Sequence, residues 1–175
     1  MAFTFLKAQD YAIGKSLCEE NRLDFARETL KKAEEKGVEI LLPVDCVVAD
    51  GLDSTETATV DIAAIPGNKM GLDIGPQTIK LFADALVGAK SILWNGPMGV
   101  FENKLFADGS IAVGEAVVKA TEAGATSVIG GGDTASAVRK FGIEAKVSWV
   151  STGGGASLEY CEGKEMPGMD PLEVK

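Results

Sequence analysis

The sequence predicts an α/β fold built on a parallel sheet, and three observations carry that prediction. Short apolar runs alternate with helix-length segments whose apolar residues recur at helical spacing. The helical segments stop at single glycines, Gly37, Gly88, Gly124 and Gly142. Each apolar run from Ser91 onward ends in a glycine-bearing loop, which is where parallel α/β sheets gather their ligands, outside the carboxyl ends of the strands.

Taken in order, Leu23–Lys36 (LDFARETLKKAEEK) predicts a helix with Leu23, Phe25, Ala26, Leu30 and Ala33 as its apolar residues. Residues 38–44 predict a strand. Between 55 and 71 the pattern weakens: TATVDIAAIP alternates loosely and PGNKMG is turn-like, so no element is assigned. Residues 77–87 predict a second helix, with Ile79, Leu81, Phe82 and Leu86 on its apolar side. The cycle then repeats: strand 91–94, loop NGPMGVFE, helix 110–123, strand 126–129, loop GGGDT, helix 133–141, strand 147–150, loop STGGGASLE. The final PGMDPLEVK reads as a polar, proline-broken tail.

A chain of 175 residues, 46% hydrophobic and 25% charged, is expected to form one domain around one core. Its net charge of -9 argues against nucleic acid or an anionic membrane as the main partner, since both select basic surfaces. Cys18, Cys46 and Cys161 are odd in number and widely spaced, so they are expected to be reduced thiols used in buried packing. No apolar run reaches the roughly 18 residues of a membrane helix, and no signal-peptide pattern opens the chain, so the expected compartment is the cytoplasm. There is no histidine, which removes Ser-His-Asp and Cys-His catalysis and histidine-ligated zinc.

The chemistry is concentrated in the glycine loops. Gly130-Gly131-Gly132 at a strand-to-helix turn lets backbone approach a ligand and aims helix-start N–H groups at an anion. A tight packing turn is the alternative. Asp133 and Thr134 favour the ligand: Asp133 can cap the helix, or hold a Mg²⁺ ion that bridges phosphates. STGGG repeats the arrangement at the next strand end, with Ser151 and Thr152 beside three more glycines. In WNGPMGVFE, Asn95 supplies an amide, Pro97 stiffens the loop, Val100 and Phe101 offer apolar surface, and Glu102 can accept from sugar hydroxyls. Trp94 is expected in the core. IGKS at 13–16 is not a Walker A loop, because Gln9 stands where its first glycine belongs, and Lys15 is read as a surface lysine. G-x-G-x-x-G is absent after every predicted strand.

Together MAFTFLKAQ, EILLPVD, MGLDIGPQTIKLF, LWNGPMGVFE, GGGDTASAV and VSWVSTGGGASLEYCEGKEMPG resemble phosphoglycerate kinase, in that order and spacing. The resemblance implies the C-terminal, nucleotide-binding lobe of a two-lobe kinase, incomplete at its N-terminal side, over residues 1–175. The fold it implies is a doubly wound, Rossmann-like parallel sheet of order 3-2-1-4-5-6. The first two strands are then absent and an unpaired edge is left beside residues 38–44. It implies reversible phosphoryl transfer in glycolysis between ATP or ADP and 3-phosphoglycerate or 1,3-bisphosphoglycerate, with Mg²⁺. By position, Leu72 and Val100 would flank the adenine, Glu102 would meet the ribose, and Asn95 and Pro97 would lie beside the phosphates. Asp133 would engage the magnesium-nucleotide and Thr134 the phosphate chain. The amides of Gly131, Gly132, Gly153 and Gly154 would meet the transferred group, and Thr152 lies at the hinge segment. The acceptor would bind an absent N-terminal lobe, so the chain alone is expected to be inactive. A nucleotide-binding module without catalysis and a truncated gene product are the alternatives. A substrate carboxylate is ionised at neutral pH and needs no base, so a histidine-free lobe suffices.

Overall fold

A computed structural model describes residues 1–166; the tail at 167–175 lies outside the described residues. The order of elements is helix α1 (Ala2–Ala8), helix α2 (Leu23–Lys36), strands β1 (Asp45–Ala49), β2 (Ala58–Asp61) and β3 (Met70–Ile74), helix α3 (Pro76–Leu86), strand β4 (Ser91–Asn95), helix α4 (Asp108–Glu122), strand β5 (Thr126–Gly130), helix α5 (Gly132–Lys140), strand β6 (Trp149–Ser151) and helix α6 (Gly154–Cys161). The chain divides into two compact units. One holds Met1–Val87 with Met98–Val113, and the other holds Gly88–Pro97 with the residues from Gly114 onward, so α4 starts in the first and ends in the second.

The first unit is organised by a three-stranded antiparallel sheet of order β2-β1-β3. Its central strand is apolar on both sides, because both faces are covered. Cys46 and Val48 pack with Leu6, Ile13, Ile62 and Ile65, while Ala49 and the half-buried Val47 pack with Leu72 and Phe106. The strand expected at 38–44 is not formed, and pairing goes instead to Asp45–Ala49. Pro43 offers no amide to a ladder, which weakens the earlier run as a central strand. The real strand has neighbours on both sides, so the unpaired edge expected there is absent. β2 and β3 leave no clear mark in the sequence, because β2 is a largely exposed edge strand and β3 carries Gly71 and Asp73 within five residues.

Two buried carboxylates tie this sheet to helices. Asp45, 1% exposed, accepts from the amides of Gln77 (3.0 Å) and Thr78 (2.8 Å) at the start of α3, and the Thr78 hydroxyl lies 2.6 Å from its Oδ1. That hydroxyl in turn accepts from the Val44 and Asp45 amides. Asp73, 5% exposed, accepts from the amides of Ile74 and, across 36 positions, Gly109 in the first turn of α4, each at 2.8 Å. A helix start has amides with no intrahelical acceptor and a positive end, and here a strand supplies both acceptor and charge.

The second unit is a parallel sheet of order β4-β5-β6, as the alternating pattern predicts. Parallel neighbours in sequential order favour crossovers of one hand, which put the connecting helices on one face. Ile92, Trp94, Ser127 and Ile129 are accordingly buried, while Ser91, Leu93 and Thr126 on the other face are exposed. A cavity of about 620 Å³ lies between that second face and α6, lined by Leu93, Val128, Tyr160 and Cys161 among others. The sequence pattern predicts a loop where α6 forms. That helix starts with two glycines and buries no residue, so it has neither propensity nor periodicity to announce it. The helices expected at 77–87, 110–123 and 133–141 form within two residues of those bounds, and α2 forms as expected, closed by Gly37.

Replacing Asp45 with Ala is expected to cost about 3 kcal/mol of unfolding free energy, because the Gln77 and Thr78 amides lose their acceptor and the Thr78 hydroxyl is left with the Asp45 main-chain carbonyl alone as its acceptor. Asp61→Ala, which removes one exposed bond to the Ala63 amide, should cost about 1 kcal/mol or less. Urea unfolding of both variants measures the contrast.

Candidate functional site

Three strand ends meet in the second unit. β4 ends at Asn95, β5 at Gly130, and β6 at Ser151, and their parallel register brings Asn95 opposite Gly130 and Gly130 opposite Ser151. The side chain of Asn95 lies between the following turns: its Nδ2 donates to the Gly154 carbonyl at 3.4 Å, and a Cβ placed on Gly131 would sit 3.4 Å from its Oδ1. The turns themselves nearly touch. A Cβ on Gly154 would lie 2.7 Å from the Gly131 Cα, closer than real Cβ contacts come, and Gly131 has φ +92°, a backbone region that favours glycine. Two glycines are therefore required by the approach of one turn to the other.

The four glycine amides assigned to the transferred group are not equivalent. Gly131 N–H donates to the Ser151 carbonyl (3.0 Å), Gly153 N–H to the Ser151 hydroxyl (3.2 Å), and Gly154 N–H to the Thr152 carbonyl (3.0 Å). Three of the four thus already have acceptors within the chain. Gly132 opens α5, where the first amides have no intrahelical acceptor. Asp133 is exposed in the first turn of α5, but the cap position is Gly131, so the capping role weighed for Asp133 is not the one it takes. Thr134 is buried, and its hydroxyl accepts from the Gly96 amide at 2.7 Å, which anchors the loop after β4 to α5. Trp94 is buried as expected and donates to the Gly96 carbonyl at 2.7 Å. Pro97 is half-buried and Thr152 exposed.

The other predicted residues lie in the first unit. The Val100 amide donates to the Leu72 carbonyl at 3.0 Å, which joins the loop before α4 to β3. Leu72 is buried against Ala49 and Phe106, whereas Val100 is half-buried at the edge of that cluster. Phe101, expected with Val100 to offer apolar surface, is buried, and Glu102 is exposed. Ser110, fully buried in α4, accepts from the Met98 and Gly99 amides at 3.0 and 3.4 Å. Asp73 was missed. Burial raises its carboxyl from the ordinary 3.8 to about 6, the Gly109 and Ile74 amides oppose that rise, and the Asp108 charge adds to it. The signal available in sequence was a lone carboxylate inside an apolar strand. Of the cysteines only Cys46 is buried, with burial pushing its thiol to about 12; Cys18 is half-buried and Cys161 exposed, so interior packing is not the role of all three. Lys15 is exposed, as expected.

No helix among the described residues is long and apolar enough to cross a membrane. Among the described residues no three His, Cys, Asp or Glu side chains cluster as a metal cage.

Comparison with known proteins bears on this arrangement. The family described as Phosphoglycerate kinase matches residues 1–164. The chain is 54% identical to the phosphoglycerate kinase of Thermosipho africanus over 177 residues, which is 100% of this chain and 44% of that protein. It is 56% identical to that of Clostridium novyi over 176 residues, with the same two shares. The structure of phosphoglycerate kinase from Coxiella burnetii matches with a TM-score of 0.88 at 48% identity, covering 93% of this chain and 42% of that one. The chain thus spans less than half the length of the curated relatives it resembles.

Gly154→Ala is expected to destabilise the protein by about 1–3 kcal/mol, because the new methyl meets the backbone of Gly131, which cannot rotate away. Gly155→Ala next to it meets nothing within 4 Å and should be neutral or stabilising by up to about 1 kcal/mol through helix propensity. Thermal unfolding of the pair tests the approach of the two turns.

Proposed function

The chain belongs to the phosphoglycerate kinase family, and from that premise we propose that it supplies the magnesium-nucleotide side of reversible phosphoryl transfer between ATP or ADP and 3-phosphoglycerate or 1,3-bisphosphoglycerate. The observation that carries this reading is the convergence of Asn95, Gly131 and Gly154 at the carboxyl ends of three adjacent parallel strands. The C-terminal, nucleotide-side placement is part of the proposal and rests on these turns, since the matches measure a share of length. The setting that follows is glycolytic and cytoplasmic.

In the second unit, the open amides at the start of α5, Gly132 first among them, hold phosphate oxygens, and the helix dipole favours their charge. Gly131, Gly153 and Gly154 contribute by shape: their amides secure the two turns, and the missing side chains leave backbone bare to the transferred group. Asn95 keeps the turns apart by a fixed amount, with Pro97 stiffening the loop beside it. Thr134 acts through its helix-start amide, its hydroxyl being engaged with Gly96. Asp133 is the carboxylate for the metal. Mg²⁺ at nucleotide sites takes one or two protein carboxylates and completes its shell with phosphate oxygens and water, so one exposed carboxylate fits it. When bound, Mg²⁺ supplies neutralisation of the phosphate oxygens during transfer. Thr152, between β6 and α6, is proposed as the hinge.

In the first unit, Val100 and the backbone at Leu72 offer the apolar shelf for a nucleobase, and Glu102 the acceptor for ribose hydroxyls. The acceptor substrate belongs to a second lobe. The 175 residues alone therefore bind nucleotide without turning over 3-phosphoglycerate, since holding two substrates together is the main source of rate.

Calorimetric titration with Mg-ADP tests the reading. Binding is expected, with no turnover of 3-phosphoglycerate above an enzyme-free control. Asp133→Asn should weaken Mg-ADP binding about tenfold and leave ADP binding in chelator nearly unchanged, whereas Glu102→Gln should weaken both by about two- to threefold. Equal losses in the two variants would show the roles misassigned, and absence of binding at millimolar nucleotide would sink the proposal.

A further inference from the structure

Asp73 is buried and titratable and has no part in the nucleotide site proposed above. It sits on β3 between Leu72, whose carbonyl accepts from the Val100 amide, and Ile74. Its two oxygens take the Ile74 and Gly109 amides, and its Oδ1 would lie 2.4 Å from a Cβ on Gly99 and 2.2 Å from one on Gly109. The carboxyl thus fills the space between β3 and both ends of residues 99–109, the stretch that carries Val100 and Glu102. Resting on the nucleotide reading above, we infer that Asp73 is a positioning residue for the nucleobase shelf: its carboxyl seats residues 99–109 against β3 and so fixes Val100 over the Leu72 backbone.

The charges around it are of one sign or remote. Asp108, next to Gly109, raises its carboxyl further. On β1 the residue opposite is Val47, and the strand's Asp45 is engaged with α3. Glu102 and Lys104 are exposed, and Glu115, Lys119 and Glu122 lie further along α4. Burial holds the carboxyl near 6 when the stretch is seated, and release into water returns it toward 3.8. The seated form therefore binds the proton more tightly, and acid favours seating: the stabilisation is complete below about pH 4 and is lost as pH rises through about 6.

The probe is adenosine, which carries no phosphate to titrate in this range. For the wild-type chain its affinity is expected to rise about fivefold from pH 7.5 to 5. Asp73→Asn, which keeps an acceptor but no titration, should give a flat profile, and Asp73→Ala should bind about tenfold more weakly at both pH values. A wild-type profile that is flat, or an Asp73→Asn profile as steep as wild type, overturns the inference. If wild type binds no adenosine at either pH, the nucleotide reading fails, and seating is judged by the hydrogen-exchange protection factor of the Val100 amide. That factor should be higher at pH 5 than at 7.5 in wild type, and a flat factor overturns the inference. The wild-type measurements decide the matter should either variant fail to fold.

Discussion

A buried carboxylate at the start of a distant helix is the interaction on which the first unit depends. Asp45 and Thr78 are 33 positions apart and Asp73 and Gly109 are 36, yet each pair closes a loop with charge-assisted bonds to amides that would otherwise have no partner. Burial of such a charge is unfavourable by itself, and the helix ends offset that cost with several donors and a positive dipole. The helices are thereby fixed to the sheet at their first turns. Asp73 shows that the balance is incomplete, since burial still outweighs its two amides and leaves the carboxyl well above its ordinary range.

The second unit is held differently. Its constraint is steric: two strand-to-helix turns approach until only glycine fits at 131 and 154, and Asn95 bridges them. The amides that sequence would offer to a ligand are partly spent in making this approach possible. The amides without an intrahelical acceptor are then the first ones of α5, while those of glycines 131, 153 and 154 are engaged within the chain. Polar groups inside the unit are paired in the same economical way, with Ser127, fully buried, bonded to Thr121 and to the Ser148 amide.

Legibility in the sequence followed burial and periodicity. α2, α3, α4 and α5 were readable because apolar residues recur at helical spacing and a glycine or a change of pattern ends each one. β4 and β5 were readable as short apolar runs set between helices. β2 and α6 were not, since one is an exposed edge and the other buries no residue, and a surface element leaves little mark in composition. The misplacement of the first strand has the same root. Residues 38–44 and Asp45–Ala49 are both apolar runs, and periodicity does not choose between them; pairing on both sides does. Among candidate residues, the glycine turns, Asn95 and Asp133 stand out by spacing, whereas Asp73 reads as an interruption of a strand until Gly109 is brought to it.

By itself the sequence determined the alternation of elements, the parallel class of β4-β5-β6, the glycine turns at its strand ends, and a chemistry without histidine. These follow from local properties: side-chain period, backbone freedom and residue type. Only the tertiary structure decided that β1 is the centre of an antiparallel sheet, that Phe101 is interior, that three glycine amides are engaged, and that Asp45 and Asp73 are buried at helix starts. Each of these depends on partners brought from elsewhere in the chain or on which of several donors an acceptor meets, and residue type and spacing by themselves carry neither.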